Sequence, residues 1–266
     1  MAGERVLVTG ASKGIGRAIA GRLARAGYAV LGTARKPLGC TDLPNDVRFL
    51  PLDLLDESSI DACLSSAGPV DILINNAGGS SVWAAAEVPA ERLREIFQLD
   101  FFGPVKLIQG VLPGMLARKS GTVLNIGSLV WRFGLPYQSG YAAAKAALAA
   151  YASSLRKEVS RLGVRVVTLD PGDIRTTIEP STCLPSDPEF RAGYEAFFRA
   201  RNAAMAGANP PEAVAAKVLA ILRKKRPAPF YVAGKGARTQ ALLKKTLPDS
   251  FIDGQVRKRF AGPAGR

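Results

Sequence analysis

Short apolar runs alternate with longer stretches of mixed polarity along most of the chain. The runs are Arg5-Val-Leu-Val, Ala29-Val-Leu-Gly-Thr, Val47 to Leu50, Asp71-Ile-Leu-Ile, Thr122-Val-Leu-Asn-Ile and Val164 to Leu169. Runs of this length without strict alternation read as strands covered on both faces, the pattern of a parallel sheet. Between them lie helical stretches, among them Ile15 to Ala26, the segment after Asp100, and Tyr141 to Leu162. Strand and helix alternate from residue 5 to about residue 231 with no short-period repeat. The prediction is an α/β fold, one doubly wound parallel sheet with helices on both sides.

Composition bounds this picture. The chain has 266 residues, 47% of them hydrophobic, enough for the core of one domain rather than two. Residues 1–235 are expected to form that domain, with an insertion at about 177–208 and an arm over 236–266. Three cysteines, Cys40, Cys63 and Cys183, have neither metal nor redox spacing, and there is no histidine. Metal sites and histidine-based triads are therefore not expected. Reduced thiols, no leader pattern before the first strand and no apolar run long enough for a bilayer lead to the expectation of a cytoplasmic protein.

The candidate chemistry sits at the ends of the strands. Thr9-Gly-Ala-Ser-Lys-Gly-Ile-Gly16 follows the first, and its Gly10, Gly14 and Gly16 permit a tight turn. Such a turn lets a pyrophosphate approach backbone N–H groups at a helix N-terminus, a variant of the dinucleotide fingerprint of the Rossmann fold. Asp53-Leu54 follows the third strand, Asn75-Asn76-Ala77-Gly78 the fourth, and Pro171-Gly172-Asp173-Ile174-Arg175-Thr176 the last. Ser128 closes another strand, and thirteen residues later comes Tyr141-Ala-Ala-Ala-Lys145. Residues four apart share one helix face. A free tyrosine titrates near ~10, and an adjacent ammonium lowers that value toward one useful to a general acid/base. The serine hydroxyl can stabilise charge developing on a substrate oxygen.

These motifs, in this order, resemble the short-chain dehydrogenase/reductase family over nearly the whole chain. The resemblance implies roles. Gly10, Gly14 and Gly16 would line the pyrophosphate, with Ser12, Lys13 and Ile15 of the same loop also binding the cofactor. Asp53 and Leu54 would hold the adenine, and Asn75, Ala77 and Gly78 would border the adenosine ribose. Pro171, Gly172, Ile174 and Thr176 would flank the nicotinamide. Tyr141 would exchange a proton with the substrate oxygen, Ser128 would polarise it, and Lys145 would bind the nicotinamide ribose and lower the tyrosine pKa. The second strand ends in Ala34-Arg35, with no acid to hold ribose hydroxyls. Arg35 and Lys13 can meet a 2′-phosphate, so the expected cofactor is NADP.

One position departs from the family pattern. Asp100 stands where the family carries an asparagine that supports a water chain to the lysine. It is either a tolerated substitute or an altered proton relay, since an ionised carboxylate accepts but does not donate hydrogen bonds.

Charge is concentrated at one end. Residues 223–266 hold twelve Lys/Arg against two Asp/Glu, a net +10 of the total +14, interleaved with Leu242, Leu243, Leu247, Phe251, Ile252, Val256 and Phe260. This segment reads as an arm packed on the domain with solvated charges, or as a peripheral contact with an anionic membrane. Nucleic acid is not expected, because no stacking platform accompanies the charge. Pro229-Phe-Tyr-Val-Ala-Gly and the leucine-rich segment after it loosely resemble the 17β-hydroxysteroid-dehydrogenase-like and retinol-dehydrogenase-like branch, which implies lipophilic substrates. Phe190, Tyr194, Phe197 and Phe198 form either a lid over an apolar pocket or a helix face packed on the core.

The function expected is interconversion of a ketone or aldehyde and an alcohol by a homodimer or homotetramer. The other reading is a dinucleotide-binding regulatory or scaffold protein without turnover.

Overall fold

The computed structural model describes residues 3–37, 43–44, 47–176 and 179–260. Cys40, positions 177 and 178 of the insertion and the last six positions of the arm lie outside the described residues. The elements run β1 (Arg5–Val8), α1 (Gly14–Arg25), β2 (Ala29–Ala34), β3 (Val47–Pro51), α2 (Glu57–Ala67), β4 (Ile72–Asn75) and β5 (Ser81–Val82). Helix α3 (Ala90–Phe97) passes through a π-helical turn, Gln98–Phe102, into α4 (Gly103–Ala117). Then come β6 (Gly121–Ile126), α5 (Val130–Phe133), α6 (Ser139–Val159), β7 (Val164–Pro171), β8 (Ser181–Thr182) and α7 (Pro188–Ala206). The chain closes with α8 (Pro211–Leu222), β9 (Phe230–Ala233), α9 (Ala237–Thr246) and α10 (Asp249–Phe260).

Seven strands form one parallel sheet in the order β3-β2-β1-β4-β6-β7-β9. The apolar runs become its central strands because both faces are covered: every residue of β4 and β6 is buried. On one face α1 and α8 close a core through Ile19, Leu23, Val214 and Val218. On the other, α2, α4 and α6 contribute Ile60, Leu107, Met115 and Leu155. Sequential strands move outward from β1 on one side and from β4 on the other. Between these two the strand order reverses, and the crevice beyond their carboxyl ends is where such sheets take ligands.

A third, smaller cluster lies outside the sheet. Tyr194 and Phe197 of α7 bury against Val82 and Phe260, with the Phe197 and Phe260 ring centroids 5.5 Å apart. The arm thus packs on the insertion through α10. Its apolar residues divide: Ile252 and Phe260 are buried, while Leu242, Leu243 and Phe251 remain exposed. The short β5 and β8 pair in parallel and tie the loop after β4 to the start of the insertion.

Candidate active site

A cavity of about 890 Å³ opens at the carboxyl ends of the strands. At one end is the glycine loop. Gly10 and Gly14 adopt positive φ angles of 66° and 56°, a backbone region that side chains disfavour. At Gly16 a Cβ would collide with the Gly10 carbonyl oxygen, so only glycine lets the helix start this close to the turn. Thr9 fastens the loop to the β4 end. Its Oγ1 accepts the N–H groups of Asn76 and Ala77 at 2.9 and 2.8 Å, while Asn76 Nδ2 donates to the Thr9 carbonyl at 2.8 Å. These bonds use up the polar groups of the loop's base and leave its outer face to the cavity.

Seventeen of the twenty residues singled out from the sequence line this cavity: Gly10, Ser12, Lys13, Ile15, Gly16, Arg35, Asp53, Leu54, Ala77, Gly78, Ser128, Tyr141, Lys145, Pro171, Gly172, Ile174 and Thr176. Gly14, Asn75 and Asp100 are not part of the lining. For Asn75 the reason is strand alternation. Its side chain stands on the sheet face covered by α4, donating to Asn125 Oδ1 at 2.9 Å and to the Pro104 carbonyl at 3.4 Å, and the next residue, Asn76, faces the cavity instead. Asp100 lies behind Gly78, where a Cβ would strike its carboxylate.

Ser128, Tyr141 and Lys145 meet in the middle of the cavity. Ser128 follows β6, and its Oγ accepts the Val130 N–H at 3.2 Å. It stands close enough to the Tyr141 phenol to lower its pKa. Tyr141 and Lys145 share the inward face of α6, with the ammonium 5.8 Å from the ring centroid. Lys145 Nζ reaches the Ile126 carbonyl at 3.4 Å and forms an ion pair with Asp100 Oδ1 at 3.0 Å. Both partners of that pair are almost wholly buried, 5% and 1% exposed. The π-helical turn makes this possible. It adds a residue to the helix and swings Asp100 toward α6, and the Gly79 N–H meets its other oxygen at 3.4 Å.

The electrostatics differ from the simple expectation of a lysine lowering a tyrosine. Burial pushes the Tyr141 phenol above its ordinary value; Lys145 pulls it down, Asp100 pushes it up again, and Ser128 lowers it, for a net rise. Burial opposes the charge on Lys145, but Asp100 and Tyr141 outweigh it and hold the ammonium above its usual range. Asp100 itself is raised by burial, against the pull of Lys145. The lysine charge is thus shared between a carboxylate behind it and a phenol in front.

A second buried carboxylate was not singled out from the sequence. Asp170, fully buried on β7, accepts Arg132 Nε at 2.9 Å and Trp131 Nε1 at 3.2 Å, both on Oδ2. The Arg132 guanidinium stacks 4.3 Å from the Trp131 ring centroid and 5.3 Å from that of Phe230. Burial raises the Asp170 carboxyl, with Arg132 as the main opposing influence. This cluster pins α5 to the sheet, and α5 with the loop after it brings Phe133, Leu135 and Gln138 to the cavity.

The far wall of the cavity belongs to the insertion and the arm. Phe197 and Met205 of α7, Leu243 of α9, and Ile252, Val256 and Phe260 of α10 face it. Of the four insertion aromatics, only Phe197 reaches the cavity; Tyr194 and Phe198 pack beside it and Phe190 is exposed. Among the described residues no group of three or more metal-ligating side chains occurs. No described helix is long and apolar enough to cross a membrane. Cys63 is buried, and desolvation pushes its thiol up to about 11.

Comparison with known proteins adds relatives to this geometry. Residues 4–183 match the family model described as short chain dehydrogenase. A dehydrogenase/reductase SDR family protein 7-like of Anopheles gambiae is 33% identical over 233 residues, covering 82% of this chain and 71% of that protein. The 3-oxoacyl-(acyl-carrier-protein) reductase FabG of Vibrio cholerae is 37% identical over 182 residues, 65% of this chain and 75% of its own. The crystal structure of a short-chain dehydrogenase from Streptomyces avermitilis superposes with a TM-score of 0.82 at 30% identity, over 96% of this chain and 98% of that one. Another, from Burkholderia cenocepacia and solved in complex with NADP, has the same fold at 22% identity, with a TM-score of 0.76 and 98% of each chain covered.

Proposed function

The chain belongs to the short chain dehydrogenase family, and from that premise we propose that it is an NADP-dependent oxidoreductase interconverting a lipophilic ketone or aldehyde and its alcohol. The observation that carries the reading is the convergence of Ser128, Tyr141 and Lys145 on one cavity with the glycine loop. The glycine turn fits a pyrophosphate: the positive φ at Gly10 and Gly14 and the close approach at Gly16 set the N-terminus of α1 tight against the turn, and Gly10, Ser12, Ile15 and Gly16 line the cavity there. Lys13 and Arg35 line the same end, and no described carboxylate pairs with either, which fits a 2′-phosphate. Bound NADPH supplies the hydride.

The protein's part is then proton movement and positioning. Tyr141 gives its phenolic proton to the carbonyl oxygen in reduction and recovers it in oxidation. Ser128 donates to the same oxygen as charge builds there. Lys145 holds the ribose side of the cofactor and stabilises the phenolate, and Asp100 keeps the lysine charged and fixed. The apolar wall from α5, α7 and α10 excludes water and supports a lipophilic substrate. The same Asp100 pairing also favours the other reading, a dinucleotide-binding protein without turnover, because it draws lysine charge away from the tyrosine. A panel of ketones, aldehydes and secondary alcohols assayed with both cofactors separates the two: turnover of any member supports the enzyme, and none supports the other.

The exposed Leu242 and Phe251, set among the arm's cations, support an accompanying peripheral contact with anionic membrane. Failure of the intact protein to sediment with phosphatidylserine vesicles at low salt removes it.

A further inference from the structure

The substrate end of the cavity is not uniformly apolar. Two guanidinium groups line it, Arg201 from α7 and Arg259 from α10. Arg201 stands one helical turn beyond Phe197, on the same face, and Arg259 immediately precedes Phe260. Since the two rings stack at 5.5 Å, both cations belong to the rim of one apolar enclosure. They are unequal. Arg259 is exposed, lies 5.2 Å from the Phe260 ring and faces Asp173 at 4.0 Å. Arg201 is half-buried, and among the described residues no carboxylate lies within ion-pair distance of it. Glu179, the other acid on this part of the lining, is exposed. A partly desolvated guanidinium among Phe197, Ala204 and Met205 lacks both full hydration and a counter-charge. Its planar fork of donors matches an oxyanion.

We propose that the substrate carries its carbonyl or alcohol on an apolar body whose far end bears an anionic group, a carboxylate or a phosphate, and that Arg201, assisted by Arg259, receives that group. The apolar wall holds the body, the Ser128–Tyr141 end holds the reacting oxygen, and the arginine pair sets which substrates dock with that oxygen in place. This rests on the oxidoreductase reading above and narrows it.

The test is binding rather than turnover. Decanoate, monodecyl phosphate and 1-decanol are titrated calorimetrically into the full-length protein loaded with NADP. At least one anionic probe is expected to bind about tenfold or more tighter than 1-decanol, a difference of ~1.4 kcal/mol. Comparison of decanoate with decyl phosphate identifies the head group. In Arg201→Gln, checked by thermal melting to be folded, the preference collapses; in Arg201→Lys most of it persists, and raising salt weakens it in the wild type. Equal affinity for all three probes, no binding of any, or a preference unchanged in the Arg201→Gln/Arg259→Gln double variant overturns the proposal. None of these results bears on the oxidoreductase reading, which stands or falls on turnover of uncharged ketones and alcohols in the panel above.

Discussion

Three residues carry the chemistry, and a fourth tunes it. The spacing of Ser128, Tyr141 and Lys145 is legible in the sequence because a strand end and one helix turn suffice to bring them together. The direct Lys145–Asp100 contact is not, because it needs a π-helical turn that no periodicity announces. Its consequence is a pH effect. Oxidation requires the Tyr141 phenolate, and burial together with the Asp100 charge raises the pH at which it forms. Oxidative kcat should therefore climb with pH into the alkaline range. Asp100→Asn removes a negative charge facing the phenol, so the climb should move to lower pH; a profile that stays in place would make Asp100 a tolerated substitute. Cofactor choice is also decided by single residues. With Lys13 and Arg35 at the cavity, NADP should exceed NAD by at least about tenfold in kcat/KM, the factor ~1.4 kcal/mol supplies. Ala34→Asp combined with Arg35→Ser should reverse the order. Equal use of both cofactors by the unmodified protein would show that neither cation reads a phosphate.

At the scale of elements, strand runs and strand-end motifs were readable because parallel strands buried on both faces leave an unmistakable apolar signature. What escaped reading are the pairings between elements far apart in the chain. Asp170 and Arg132 are 38 residues apart, and nothing local marks either as a partner of the other. Asn75 and Asn76 are adjacent and chemically identical, so only the direction of β4 decides which one meets the cavity. The Asp170–Arg132–Trp131 cluster holds α5 and the loop that leads into α6. Arg132→Leu leaves Asp170 buried without its counter-charge, a loss of roughly 3–5 kcal/mol. Chemical denaturation should show that loss, and KM should rise as Phe133 and Leu135 lose their support. A variant as stable as the parent would mean that the carboxyl is neutral and needs no cation.

The whole molecule shows an arm that composition separated from the domain and packing returned to it. Basic residues dominate its sequence, yet Ile252 and Phe260 close one side of the cavity, and of the arm's described cations Arg259 alone joins them in its lining. A charge count registers the solvated face of such a segment and misses the alternate apolar positions that seat it. Another surface has no such cover within one chain. Phe102 and Leu55 are 53% and 47% exposed beside Phe97 and Leu93, next to the junction of α3 and α4. An aromatic patch of this kind suits association with a second copy. Light scattering at micromolar concentration is expected to give a homodimer or homotetramer, and Phe102→Glu to shift it toward monomer. A monomeric parent protein would contradict the assembly.

The central claim is that Tyr141 moves the proton in a carbonyl–alcohol interconversion. It is tested most directly by single-turnover and steady-state rates of Tyr141→Phe beside the parent, on whichever ketone or alcohol of the panel the parent uses best. Only the transferable proton is lost in this variant. NADPH binding, read by the change in its fluorescence, is expected to stay within about twofold, while kcat falls by at least about a hundredfold. A variant that binds cofactor and turns over at a rate near the parent's would contradict it.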